Sequence, residues 1–240
     1  MTDRASRPDV PALSGSAVPA AWTRIDAWLR THVPESYELL APPADPVAVE
    51  AAQVGMGVRF PADLPASPAR HDGLRGWTTV LPVRPLLPVA GIVSHREMCV
   101  GANEDLEEGG APGIEGEPWW HRQWIPWAES DGDSRIIDMG QGPQQGGPGM
   151  MYHDRGGVFE DAWPCLAAYL EEVADVLENG GVVGGYWAPF LAADAEPWWD
   201  AEGAEEMDGE PLTPAPLRPP ADRGPAAGRA GPPGMWTARV

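Results

Sequence analysis

The chain of 240 residues contains no lysine; all sixteen of its basic side chains are arginine. That absence excludes chemistry that needs a lysine amine, from the phosphate-loop lysine to a Schiff base with a carbonyl cofactor. Cysteine is nearly absent too. Cys99 and Cys165 lie far apart and form neither a disulfide framework nor a zinc-ligand spacing. Cys165 opens a strong helical pattern and reads as a packing residue. No apolar run approaches the length of a membrane span. Near the N-terminus Asp9, Pro11 and Pro19 break up the apolar residues, so no signal peptide is expected and the protein reads as cytoplasmic, with no membrane partner.

What the chain has in excess is negative charge. Asp+Glu 36 against Lys+Arg 16 gives a formal net charge of −20. Such a field repels phosphate backbones, so direct nucleic-acid binding is not expected. A basic protein is its natural complement, with a steered, salt-sensitive encounter. The same acidity also keeps a protein soluble with no partner at all. Gly 29, Pro 29 and the exclusive use of arginine point to coding bias in a GC-rich genome. The length suffices for a single buried core.

Composition divides the chain into a disordered N-terminal segment (1–18), a folded domain (19–200) and a low-complexity Pro/Gly/Ala-rich tail (201–240), in which Trp236 stands alone. Within the domain, Trp22, Ile25 and Leu29 share one helical face, flanked by Arg24 and Trp28. Asp45 and Pro46 mark a helix start and Gly55 or Gly57 its stop. Residues 60–73 predict a short helical turn kept irregular by Pro65 and Pro68. Residues 80–88 read as extended, 89–98 as a short helix, and Gly101 to about Gly116 as an acidic, glycine-rich loop. Leu166, Tyr169, Leu170, Val173 and Leu177 follow helical spacing up to Asn179-Gly180. The pattern is α+β: helices at both ends and a largely antiparallel or mixed sheet between them.

The densest stretch is "WWHRQWIPWAESDGDSRIIDMGQG", Trp119 to Gly142. As a calcium loop starting at Asp131 it fails, because the fifth, sixth and twelfth places are Arg135, Ile136 and Gly142. As a hairpin it succeeds, since Asp131-Gly132 between apolar segments is a strong turn signal. Asp131 and Asp133 then lie in solvent and Asp138 ends the returning strand. No metal site is expected there. The "GQGPQQGGPG" segment lacks the spacing of a phosphate loop. His71, His121 and His153 form no HxxxH or HExxH pair, and His71-Asp72-Gly73 and His153-Asp154 read as turn residues. Trp22, Trp28 and Trp163 read as core. Trp119, Trp120, Trp198 and Trp199 are open to an interface role.

The same stretch resembles the Smi/Knr family of the SUKH (Syd/US/Knr homology) superfamily: tryptophans before a W-[IV]-P, an acidic-glycine turn, a strand ending in Asp and a Gly/Pro-rich loop. Other segments fall in the family order. "AWTRIDAWLRTHVP" resembles its first helix and "LLAPPADPVAVEAAQVGMGVRFPADL" its helix followed by G-x-x-[FL]-P-x-x-L. "RHDG" matches H-[DN]-G, "MMYHDRGG" the penultimate strands, Asp161 to Gly180 the closing helix, and "YWAPFLAADAEPWWD" the tail of bacterial members. The match covers about Ala20 to Asp200. Pro65 and Pro68, and the methionines after the glycine-rich loop, depart from the family pattern.

The resemblance implies a bacterial, actinobacterial-like member of a superfamily rich in immunity proteins that bind polymorphic toxins. No catalytic constellation, cofactor site or metal site is expected. The partner is expected to be a protein, such as a basic toxin or nuclease domain, bound through Trp119 and Trp120 within an acidic rim of Glu104, Asp105, Glu107 and Glu108. The alternatives are a regulatory interaction protein akin to cell-wall assembly regulators and, more distantly, an enzyme using Asp138 and His153.

Overall fold

The Asp131-Gly132 turn organises the sheet. Both residues take positive φ, +56° and +83°, the conformation a two-residue hairpin needs and glycine accepts without cost. β1 (Trp124–Ser130) and β2 (Asp133–Asp138) therefore pair with Ser130 opposite Asp133. β3 (Pro148–Tyr152) and β4 (Gly156–Val158) continue the meander, giving an antiparallel order β1-β2-β3-β4. The computed structural model describes residues 17–82, 85–108, 118–142, 145–154, 156–159 and 163–217, without the side chain of Glu107.

Side-chain alternation buries both faces of this sheet. Ile125, Trp127 and Ile137 join the main core, and Trp124, Ile136 and Met151 join a second cluster with Trp120 and Cys99. The main core is built chiefly by α1 (Ala17–His32) and α5 (Leu166–Asn179), which pack on each other. Trp22, Ile25 and Leu29 are fully buried on α1, as are Val173, Leu170 and Tyr169 on α5. At the edge of the α1–α5 contact, Arg24 reaches Asp175 and Glu178 at 2.5 and 2.6 Å. Arg135 enters the core behind β2 with its guanidinium 5.2–5.9 Å from the rings of Trp127, Trp163 and Tyr169.

α2 (Pro34–Glu38) follows α1 directly. α3 (Pro46–Met56) starts as its sequence predicts, with the Asp45 side chain accepting from Val47 N at 2.9 Å, and stops at Gly57 in the left-handed region. Residues 62–70 form successive turns without a helix, as Pro65 and Pro68 require. Leu86 and its neighbours run extended beside β1, where Leu87 N donates to Trp127 O at 3.0 Å. The chain is thus α+β, with helices flanking an antiparallel sheet.

Three sequence expectations need correction. α4 runs Val89–Glu108, so the acidic segment from Gly101 is helical as far as Glu108, and residues 109–117 lie outside the described residues. Asn103 holds that last stretch in place by accepting from Trp120 N at 2.9 Å. Second, the N-terminal segment read as disordered over 1–18 loses its last two residues to α1, where Val18 is fully buried; residues 1–16 lie outside the described residues. Third, the tail read from Ala201 belongs to the fold as far as Leu217. β5 (Trp187–Leu191) pairs with β6 (Pro197–Ala201) on one side and with β9 (Thr213–Pro214) on the other, while β7 (Glu206–Met207) and β8 (Glu210–Pro211) form a small hairpin. Leu212 and Ala215 are buried, and Trp28 Nε1 donates to Pro216 O at 3.0 Å. These strands are too short to show periodicity, and pairing with β5 supplies their order. Trp236 lies outside the described residues.

Candidate functional site

Trp119 is tied to the β1–β2 hairpin through His153, and its neighbours Trp120 and Arg122 to the end of α4. Trp119 Nε1 donates to His153 O at 2.9 Å, and His153 in turn meets Asp133 Oδ1 through its backbone N at 2.9 Å and its Nδ1 at 2.7 Å. On the other side, Asn103 fixes Trp120 N, and Arg122 pairs with Glu104. Glu129 accepts from Gly132 N at 3.3 Å, which folds it toward the same turn. Glu104, Asp105 and Glu108 are exposed on α4, Asp131 is exposed at the hairpin turn with Glu129 and Asp133 half-buried beside it, and Trp119 is half-buried.

Of the expected site residues, Trp120 is not at the surface. Trp120 is 1% exposed and packs edge-on against Trp124 at 5.7 Å and beside Cys99 and Met151. It is a core residue, because the second face of the sheet needs a large apolar lid and Trp120 supplies it. Trp119 remains on the surface, 6.4 Å from Trp120. Asp105 and Glu108 are exposed; Glu104 is exposed and paired with Arg122; the side chain of Glu107 lies outside the described residues. Trp199 is also core, with Nε1 donating to Thr79 O at 3.0 Å.

The hairpin carboxylates do not converge. Asp131 and Asp133 lie at the turn and Asp138 at the far end of β2, on the order of 15 Å away at about 3.3 Å per residue. Asp138 Oδ1 accepts from Gly140 N at 2.7 Å, so it serves its own turn. Among the described residues no group of three or more His, Cys, Asp or Glu is placed to hold a metal ion. The same separation keeps Asp138 from His153, the pair weighed for an enzyme.

One cluster has the chemical types of a nucleophilic site. His95 Nε2 lies 2.7 Å from Ser134 Oγ and 3.6 Å from Cys99 Sγ. Burial, helped by the Glu129 charge, pushes the Cys99 thiol up to about 12, so it stays protonated at neutral pH. Burial also lowers the pKa of His95, against an opposing pull from Glu129. Ser134 is fully buried and Cys99 is 1% exposed, which leaves no room for a substrate. The cluster is packing, not a site.

Sequence reasoning missed two features. His71 is not a solvent-facing turn residue but buried, with Nε2 2.9 Å from Asp26 Oδ1 and Nδ1 3.1 Å from Ala41 O. Its neighbours also have fixed tasks. Asp72 Oδ1 accepts from Val89 N at 2.7 Å to cap α4, and Gly73, at φ +76°, leaves no space for a Cβ, which would stand 2.6 Å from Pro88 N. The second is Trp77, 61% exposed, with its ring 6.5 Å from that of Trp198. Neither shows in a local pattern: the partners of His71 and Trp77 lie 45 and 121 positions away. No protein-family model matches this chain, and no curated protein matches it.

Proposed function

We propose that the chain is a non-catalytic, cytoplasmic protein-binding module of the immunity type, which neutralises a basic toxin or nuclease domain by direct binding. The acidic face around Trp119 carries this reading. Glu104, Asp105 and Glu108 on α4 and Glu129, Asp131 and Asp133 on the hairpin accompany one half-buried tryptophan, with Arg122 paired to Glu104 and His153 to Asp133. A surface indole within a charged rim is the composition of a binding anchor. The end of α4 adds weight. The last described turn of α4 carries Asp105 and Glu108 and no basic residue. The ordered segments shared with the Smi/Knr family support the same reading. No described helix is long and apolar enough to cross a membrane.

The test is co-expression with the product of the neighbouring coding sequence. A toxic, basic protein held in a stable complex, with growth restored, supports the proposal. Binding without protection would favour a regulatory interaction protein instead. No complex at low salt would refute both.

A further inference from the structure

Eight arginines lie among the described residues, and three of them, Arg30, Arg70 and Arg75, line one cavity of about 280 Å³. This concentration of positive charge is unexpected in a chain of net charge −20. The cavity lies between the C-terminal end of α1, α2 and two extended segments, 39–42 and 72–75. Those segments are clamped together by Ala41 N to Gly73 O at 3.0 Å, Asp72 N to Pro42 O at 3.1 Å and Arg75 N to Leu39 O at 2.7 Å. The walls are thus set before any ligand arrives.

The arginines are held, but not consumed. Asp26, fully buried beneath them, takes Arg70 through Nε at 2.8 Å and through Nη2. Arg30 stacks over the Tyr37 ring at 4.5 Å and donates from Nη2 to Tyr37 Oη at 2.5 Å. Arg75 makes no side-chain hydrogen bond or ion pair with any described residue. Of the acidic residues only Glu38 lines the cavity, with Asp26 below, while the Asp72 carboxylate is turned away to Val89 N.

We propose that this cavity binds small phosphomonoesters, with the phosphoryl group between Arg30, Arg70 and Arg75 and the organic body against Tyr37, Leu40 and Pro43. A carboxylate has two oxygens and is satisfied by one arginine fork. Three guanidinium groups suit a dianion with three terminal oxygens. The apolar wall gives the ester carbon somewhere to rest. The volume admits a phosphoryl group on a compact body and no dinucleotide, since ordinary ligand pockets begin at about 300 Å³. The site is independent of the acidic face.

The experiment is a titration of the full chain, followed by amide NMR at low ionic strength, with inorganic phosphate, phenyl phosphate and acetate as probes. Saturable phosphate binding in the millimolar range or tighter is expected, with phenyl phosphate tighter and acetate at least about tenfold weaker. Arg75→Gln should weaken phosphate at least about fivefold, the loss of one charge-assisted contact, without moving the thermal midpoint. Arg59→Gln, an exposed arginine outside the cavity, should change neither. Absence of saturable phosphate binding overturns the proposal. So does equal affinity for acetate, or an Arg75→Gln variant that binds as the parent does.

Discussion

Asp26→Asn removes one charge and keeps nearly the same volume. The Asp26 carboxylate is fully buried and meets His71 Nε2 at 2.9 Å, Arg70 Nε at 2.8 Å and, more distantly, Arg30 Nη2 at 3.9 Å. Burial alone would raise its pKa, but the hydrogen bonds and charges of His71 and Arg70 outweigh burial and hold it below the usual carboxylate value. Breaking a buried pair by removing one partner costs about 3–5 kcal/mol when both ends are dry. Here the Arg70 side chain is 40% exposed, so water recovers part of its loss. A cost of about 2–3 kcal/mol is expected, or a fall of roughly 5–10 °C in Tm for a chain of this size. The sign of the pH dependence follows from the lowered pKa. The contribution is complete above the ordinary carboxylate pKa of about 4 and is lost as pH falls through the folded value. Urea denaturation of parent and variant should show a constant gap from neutrality down to about pH 5 that closes in stronger acid. A variant as stable as the parent at pH 7, or a gap that persists unchanged at pH 3, would refute this account of the α1 end.

Trp120→Ala should cost about 3–5 kcal/mol by chemical denaturation, as a large cavity in the second cluster requires. Trp119→Ala should cost only about 1 kcal/mol, the worth of its bond to His153 O. Truncation after Asp200 should lower the Tm measurably, since it removes β9, Leu212 and the Pro216 acceptor of Trp28. Cys99, with its thiol pushed up to about 12, should resist iodoacetamide at pH 8 in the folded chain and react once urea unfolds it.

Sequence patterns disclose elements whose causes are local. The β1–β2 hairpin is legible because Asp131-Gly132 admits one kind of turn, and α3 because Asp45, Pro46 and Gly57 each do a capping task. α5 is legible because its apolar face repeats over fourteen residues. The end of α4 is not, since Gly101–Glu108 offers no apolar stripe and is fixed by Asn103 against Trp120, across a segment of seventeen positions. The β9 pairing is hidden for a similar reason: two residues carry no period, and Phe190 and Leu191 decide their place. Trp119 and Trp120 are adjacent and chemically identical, and only the strand faces of Ile136 and Met151 reveal which of the two is core. The arginine cavity joins helices and loops some 45 positions apart, and no run of basic residues announces it.

The most direct test of the acidic face is the binding kinetics of the chain with the basic product of its neighbouring coding sequence. The variants are Trp119→Ala, Asp105→Asn/Glu108→Gln and Asp131→Asn, each first shown to be folded by circular dichroism. Trp119→Ala is expected to speed dissociation by about tenfold or more with little change in association, as for a desolvated anchor. The carboxylate variants should slow association and flatten its salt dependence while leaving dissociation nearly unchanged. If all the folded variants bind at the parent's rates, the acidic face around Trp119 is not where the partner docks.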